Sequence, residues 1–276
     1  MCSNVVKKYT NLSLQPNYHI IPPKGQRVPI LVSVPHCGIA FPKDIEENYK
    51  SEMIHPPDDT DFFVDQVYDF VSEMGITMIH AHYSRWVIDL NRSAENKALY
   101  TDGRLITGLT PTTDFLGNPI YQFEPDEEEI RGRIKRYYDP YYEKITSTLA
   151  DLKKEFGFAI LWDAHSIRQY VPTIQEAAFP AMILGTNDGQ SAIEKIIQIA
   201  KLGLSSGFDL SYNHPFKGGN ITRHFGDPKN NIHALQLEMI KTLYMDDTET
   251  VYHAERGERL QGVLKNTFKL LIEEIV

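Results

Sequence analysis

Apolar residues in this chain fall into short runs bounded by turn formers, and these runs alternate with longer stretches of helical period. The first run, Val28 to Val34 (VPILVSV), follows a Pro-Pro-Lys-Gly turn signal. Its length and β-branched content predict a fully buried strand of a parallel sheet. It ends at Pro35-His36-Cys37-Gly38, where the chain must turn. Thr60 to Met74 then places Phe63, Val64, Val67, Phe70 and Val71 on one face, which predicts a helix. Short strands are expected near Ile76–His80 and Trp86–Leu90.

Asn91 to Gln122 is long, irregular and rich in Thr, Gly, Pro and Asp. A loop of that length in a compact domain commonly serves as a lid or a substrate wall. Asp126 to Phe156 reads as a charged helical region interrupted at Pro140. Phe158–Trp162 and Ala181–Gly185 read as two more buried strands, and Ser191–Leu202 as the helix after them. Gly218–Phe225 suggests a short strand beside a glycine turn. Ala234–Ile240 alternates, with Leu235, Leu237 and Met239 on one face. Glu258 to Ile275 forms the last helix, with Leu260, Leu264, Phe268, Leu271 and Ile275 along one side. Strands alternating with helices imply a three-layer α/β/α sandwich with a mostly parallel or mixed sheet. No boundary divides residues 1–276, so a single domain is expected.

Composition narrows the class of function. Net charge is -9, which disfavours a nucleic-acid or anionic-membrane surface. The chain has two cysteines, Cys2 and Cys37, from which neither a disulfide framework nor a thiolate zinc site can be built. A reducing compartment fits. No signal-like N-terminus or spanning segment is evident, so a cytoplasmic location is expected.

Ligands of open α/β sheets collect beyond the carboxyl ends of the strands. His36 and His165 each follow an apolar strand. Imidazole with carboxylate suits zinc, and the nearest early carboxylates are Asp58, Asp59 and Asp61. Asp59 and Asp61 serve equally well as helix caps, and both readings stay open at this point. The chain has 10 histidines, so most are not ligands. His55, His80, His82 and His253 read as structural or surface residues, and His214, His224 and His233 as candidate pocket residues.

A catalytic zinc needs a base for its water. Glu238 is the candidate, since alternation turns it away from Leu237 and Met239; the competing reading is an exposed glutamate on an edge strand. Arginine clamps suit an acidic substrate, and Arg85, Arg92, Arg168 and Arg223 lie beside expected strand ends or glycine turns. Singly, each would be a surface ion-pair residue. Gly218-Gly219 would admit close backbone approach to a ligand, or make only a tight turn. No phosphate loop, HExxH or GxSxG motif is present, and neither Ser33 nor Ser166 lies in a nucleophile elbow.

Taken together, LVSVPHCG, DDTDFFVDQVYDF, SRWVIDLNRS, TGLTPTTDFLGNPIY, LWDAHSIR, LGTNDGQS and FKGGNITRHFGDPKNNIHALQLEMIKTLYMD resemble the N-formylglutamate amidohydrolase family. These stretches run in order from Leu31 to Asp246. The resemblance implies an α/β fold akin to zinc carboxypeptidases and related amidases. It implies hydrolysis of N-formyl-L-glutamate to L-glutamate and formate, a step of histidine degradation. The implied cofactor is one Zn2+ or another divalent ion, and the implied partner is a small dicarboxylate amide. Carried over by motif, His36 and His165 would be metal ligands, with Asp59 or Asp61 as the third. Glu238 would be the general base and later the acid. Arg92, Arg168 and Arg223 would hold the substrate carboxylates, helped by Asn91 and Thr222. Two departures stand out: Phe62-Phe63 replace the family's frequent Trp-His, and Tyr100–Ile106 (YTDGRLI) replaces a segment usually richer in glycine and asparagine. Rival readings are a zinc amidase for another N-acyl acidic amino acid or a cell-wall amide, and a non-catalytic protein that binds an acidic metabolite.

Overall fold

The structure, a computed structural model, describes residues 16–96 and 107–275. Cys2, the Tyr100–Ile106 segment and the side chain of Ile275 lie outside the described residues. A seven-stranded sheet runs in the order β1-β3-β2-β4-β7-β5-β6. Its strands are β1 (Tyr18–Ile21), β2 (Ile30–Val34), β3 (Thr77–Ala81), β4 (Ala159–Ile167), β5 (Met182–Gly185), β6 (Leu210–Tyr212) and β7 (Ile232–Ile240). The sheet is mixed. β3, β2, β4 and β7 are parallel neighbours, β1 is antiparallel to β3, and β5 is antiparallel to β7.

Side-chain alternation splits the sheet into two apolar layers. Ile30, Val32 and Val34 of β2, Ile160, Trp162 and Ala164 of β4, and Leu235, Leu237 and Met239 of β7 share one core. That core also takes in α1 (Val64–Val67), α4 (Glu194–Leu204) and α6 (Ala254–Ile275). Leu31, Leu161 and Ala234 enter the opposite core with α2 (Glu127–Arg133), α3 (Asp139–Phe156) and α5 (Asn220–Phe225). The expected three-layer α/β/α arrangement is therefore present.

Several local expectations need correction. Trp86–Leu90 forms turns and not a strand, because its apolar side chains fill the core while its backbone serves polar groups. Trp86 O accepts from Tyr49 Oη at 3.0 Å, and Asp89 N donates to Leu109 O at 2.7 Å. The helix expected over Thr60–Met74 is reduced to α1 and a 3-10 stretch at Asp69–Met74. Gly218–Phe225 does not make a strand: Asn220–Phe225 is α5, since the Asn91 side chain accepts from Ile221 N at 2.8 Å and caps it. Pro140 does not interrupt the Asp126–Phe156 region. It stands in the first turn of α3, where a missing N–H costs little, and a π-helical turn at Ile134–Tyr138 joins α2 to α3. The edge strands β1 and β6 escaped the sequence reading because they are short and incompletely buried.

β2 lies between β3, which follows it in the chain, and β4, which comes later. β2 leads on to β3 on one side and β4 leads on to β5 on the other, so the carboxyl ends of β2 and β4 flank a switch point of the kind where open sheets bind ligands. His36 and His165 stand on either side of it.

Candidate active site

Alternation decides what reaches this crevice. In β4 and β7 the register pairs Asp163 with Gln236 and His165 with Glu238. All four side chains lie on the face opposite Trp162, Ala164, Leu235, Leu237 and Met239. Along β7 every residue from His233 to Ile240 is buried except Glu238, which is half-buried.

The turn after β2 brings His36 to the same place, and Asp61 N donates to His36 O at 3.0 Å. Asp61 Oδ2 then lies 3.8 Å from His36 Nδ1 and 3.3 Å from His165 Nδ1. The two rings are 4.9 Å apart. His36 is 2%, Asp61 1% and His165 3% exposed, so bulk water does not stabilise the charges. Phe63, two residues on from Asp61, has φ 63°, a left-handed conformation that costs a bulky side chain on the order of 1–2 kcal/mol. That strain accompanies the sharp turn that delivers Asp61.

The far edge of each imidazole faces a carboxylate. His36 Nε2 is 2.8 Å from Asp89 Oδ1, whose other oxygen accepts from Arg85 at 2.7 Å. His165 Nε2 is 2.9 Å from Asp163 Oδ2, an ion contact and not an aligned hydrogen bond. Asn91 Nδ2 sits 3.0 Å from the same nitrogen and 3.3 Å from Gln236 Oε1. Gln236 in turn accepts from Gly219 N at 2.7 Å and donates to Glu238 at 3.4 Å. A Cβ on Gly219 would stand 2.3 Å from Asn91 Nδ2, so only glycine leaves room for this bridge.

Burial and then the Arg85 charge push His36 down to about 4. Burial would also lower His165, but Asp163, Asp61 and Glu238 outweigh it and hold that imidazole well above its usual value. Burial pushes Glu238 up to about 8, assisted by Asp61 and opposed by His165.

A divalent cation fits this cluster. His36 Nδ1 and Asp61 Oδ2 are buried without hydrogen-bond partners and converge with His165 Nδ1. Donors about 2.0–2.1 Å from a zinc ion stand roughly 3.3 Å apart at the tetrahedral angle, close to the separations seen. Carboxylates behind the imidazoles are the usual means of presenting the opposite nitrogen to a metal.

Asp59 is turned elsewhere. Its carboxylate accepts from Trp86 Nε1 at 3.1 Å and from Phe115 N at 3.1 Å, so it ties the Asn91–Gln122 segment to the body. The arginines vary in placement. Arg92 donates to Thr107 O at 2.8 Å, and Arg223 donates to Gly218 O at 2.8 Å. Arg168 pairs with Asp58 and lies 3.8 Å from Glu249. Thr222 is wholly buried, and its Oγ1 lacks a hydrogen-bond partner.

Asp89, Asp163, Gln236 and Lys241 carried no role in the sequence reading. Asp163 and Gln236 could have been found by strand alternation, since each stands two residues before His165 or Glu238. Lys241 follows β7 directly, is 3% exposed, and places Nζ 5.3 Å from the Phe62 ring centre. Nothing in its local sequence signals burial. His233 sits at the opposite end of β7, paired with Ile160, and His224 packs edge-on to Tyr142, so neither joins the crevice.

Known proteins resemble this chain along most of its length. The N-formylglutamate amidohydrolase family model matches residues 28–245. An N-formylglutamate deformylase of Pseudomonas aeruginosa is 38% identical over 255 residues, covering 90% of this chain and 94% of the relative. A second, from Pseudomonas putida, is 37% identical over 252 residues, covering 89% and 93%. The crystal structure of N-formylglutamate amidohydrolase from Ralstonia eutropha JMP134 has the same fold, with TM-score 0.80, 22% identity, and coverage of 94% of this chain and 99% of that one.

Proposed function

The chain belongs to the N-formylglutamate amidohydrolase family, and on that footing we propose that it hydrolyses the formamide bond of N-formyl-L-glutamate, giving L-glutamate and formate. The observation that carries the mechanism is the convergence of His36 Nδ1, Asp61 Oδ2 and His165 Nδ1, with Glu238 beside His165.

His36, Asp61 and His165 would hold the ion, and zinc suits their two nitrogens and one carboxylate oxygen. Bound there, zinc supplies Lewis acidity towards the formyl carbonyl and the attacking water. Asp89 and Asp163 orient the two imidazoles and balance their charge. Glu238 takes the proton of the water that attacks the formyl carbon and returns it to the departing amine nitrogen. Burial favours its protonated form, which suits it to hold the proton before handing it to the amine. Gln236 keeps the carboxylate in place from the next inward position of the strand.

Substrate carboxylates would meet Arg168 and Arg223. Arg92 and Thr222 complete this proposed surface. Asn91 acts on His165 and α5, and so positions the machinery.

The test is release of the free amino acid from N-formyl, N-acetyl and N-succinyl derivatives of glutamate and aspartate, with and without a chelator. Preferred turnover of N-formylglutamate, abolished by chelation and restored by Zn2+, is the expected result. Turnover unaffected by complete metal removal would overturn the metal mechanism. Preference for another acyl group would overturn the substrate.

A further inference from the structure

On the opposite face of the sheet, Cys37, Asp65 and His80 form a second convergent cluster. One ligand atom from each lies within 4.8 Å of the others, and all three residues are half-buried. They come from three elements: the turn after β2, α1 and β3. The β2–β3 register pairs Val34 with His80, so β2 ends beside His80 and the following turn sets Cys37 Sγ 3.8 Å from His80 Nδ1. Val34 and Met78 belong to the core lined by α4 and α6, and His80 shares their face by alternation. His165 and Glu238 use the other face. His80 and the His165–Glu238 pair therefore lie on opposite faces of the sheet, while the His36–Cys37 turn joins the two clusters at its edge.

A purely structural role accounts for only part of this. Cys37 Sγ reaches Val34 O at 3.6 Å and Ala81 O at 3.8 Å, as a small buried thiol would. That does not explain why a half-buried carboxylate stands close to a thiol, for the Asp65 side chain makes no hydrogen bond among the described residues. A thiol and a carboxylate at this range favour a cation between them. The neighbourhood adds imidazoles. His19 is the cross-strand partner of His80, with rings stacked 4.8 Å apart, and His82 Nδ1 is 3.1 Å from His19 Nε2.

We propose that Cys37, Asp65 and His80 constitute a second metal site, selective for borderline transition ions such as Zn2+ or Co2+. Thiolate and imidazole donors disfavour Mg2+ and Ca2+, which prefer oxygen, while the carboxylate supplies the third donor and leaves a position for water. The cysteine count rules out a thiolate-only site, but in mixed company one thiolate is enough. On loading, the Sγ–metal bond forms and the thiol proton passes to solvent. The proposal is independent of the reaction assigned to the first cluster.

The experiment is a Co2+ titration of the metal-free full-length protein, followed by absorption spectroscopy and elemental analysis. The first cluster contains no sulfur, so a thiolate-to-cobalt charge-transfer band reports on the second alone. The expected result is that band, together with one more bound ion than in Cys37→Ser or His80→Ala. Asp65→Asn should weaken this binding more than about 10-fold. Formate release by Asp65→Asn and His80→Ala should match the parent protein, which also shows that both variants fold. Absence of the band overturns the proposal. So does a band that survives Cys37→Ser, which would belong to Cys2, or one indifferent to both His80→Ala and Asp65→Asn.

Discussion

His165 and Glu238 are register partners across the parallel β4–β7 ladder, so their side chains leave the same face of the sheet side by side. One presents Nδ1 to Asp61, and the other is the half-buried break in an otherwise buried run. The proposed ligand and the proposed base are thus fixed relative to each other by the hydrogen bonds of the β4–β7 ladder. Replacing Glu238 by Gln preserves shape but removes the proton acceptor. Turnover should fall on the order of 10²–10⁴-fold while bound metal stays unchanged by elemental analysis. Turnover near that of the parent protein would exclude Glu238 as the base.

Asp61 and Asp59 are two residues apart and face different partners. Asp61→Ala should abolish high-affinity metal binding, measured by competition with a chromophoric chelator. Asp59→Ala should leave metal binding largely intact and lower thermal stability, because Trp86 Nε1 and Phe115 N lose their acceptor. The reverse pattern would exchange their roles.

Asp89 accepts from His36 and Arg85 together. Asp89→Asn keeps the volume and loses the charge, and it should weaken metal affinity about 10–100-fold. Unchanged affinity in a folded variant would show that His36 needs no such partner.

Arg133 is wholly buried, and its guanidinium donates to Tyr49 Oη at 2.8 Å, Tyr121 Oη at 2.7 Å and Val87 O at 3.0 Å. It also pairs with the partly exposed Glu129. Arg133→Met strands these acceptors and should cost about 3 kcal/mol in urea denaturation. A loss below about 1 kcal/mol would mean that water replaces the guanidinium.

Asp246 accepts from Thr250 N at 2.9 Å and Val251 N at 3.0 Å, and it bonds the Thr248 hydroxyl. These bonds, the Thr248 hydroxyl first, lower its carboxyl to about 2, against 3.8 for a free aspartate. A depressed carboxylate stabilises the fold above the unfolded value and loses that effect as pH falls through the folded one. The difference in denaturation midpoint between the parent protein and Asp246→Ala should therefore be full above about pH 4 and shrink towards about pH 2. A difference that does not change with pH would show that the charge plays no part.

The local pattern determined what repeats at short range. VPILVSV by its continuous β-branched run and LQLEM by its alternation predict buried strands, and a strand's two-residue period assigns Glu238 to the face opposite Leu237 without coordinates. The alternation of strands and helices predicts the layers. His36 and His165 were legible as candidates because each follows an apolar strand. Asp59 and Asp61 could not be told apart, since both fit a helix start, and only the turn through Phe63 sends one towards the imidazoles and the other to Trp86. The Trp86–Leu90 stretch looked like a strand because burial, not sheet pairing, dictates its apolar residues. Burial of Lys241 and the meeting of Cys37, Asp65 and His80 are equally invisible along the chain. Sequence records periodicity, which depends on neighbours a few residues away. Which carboxylate meets which imidazole depends on strand order and turn geometry across tens of residues, and only the tertiary structure decides that.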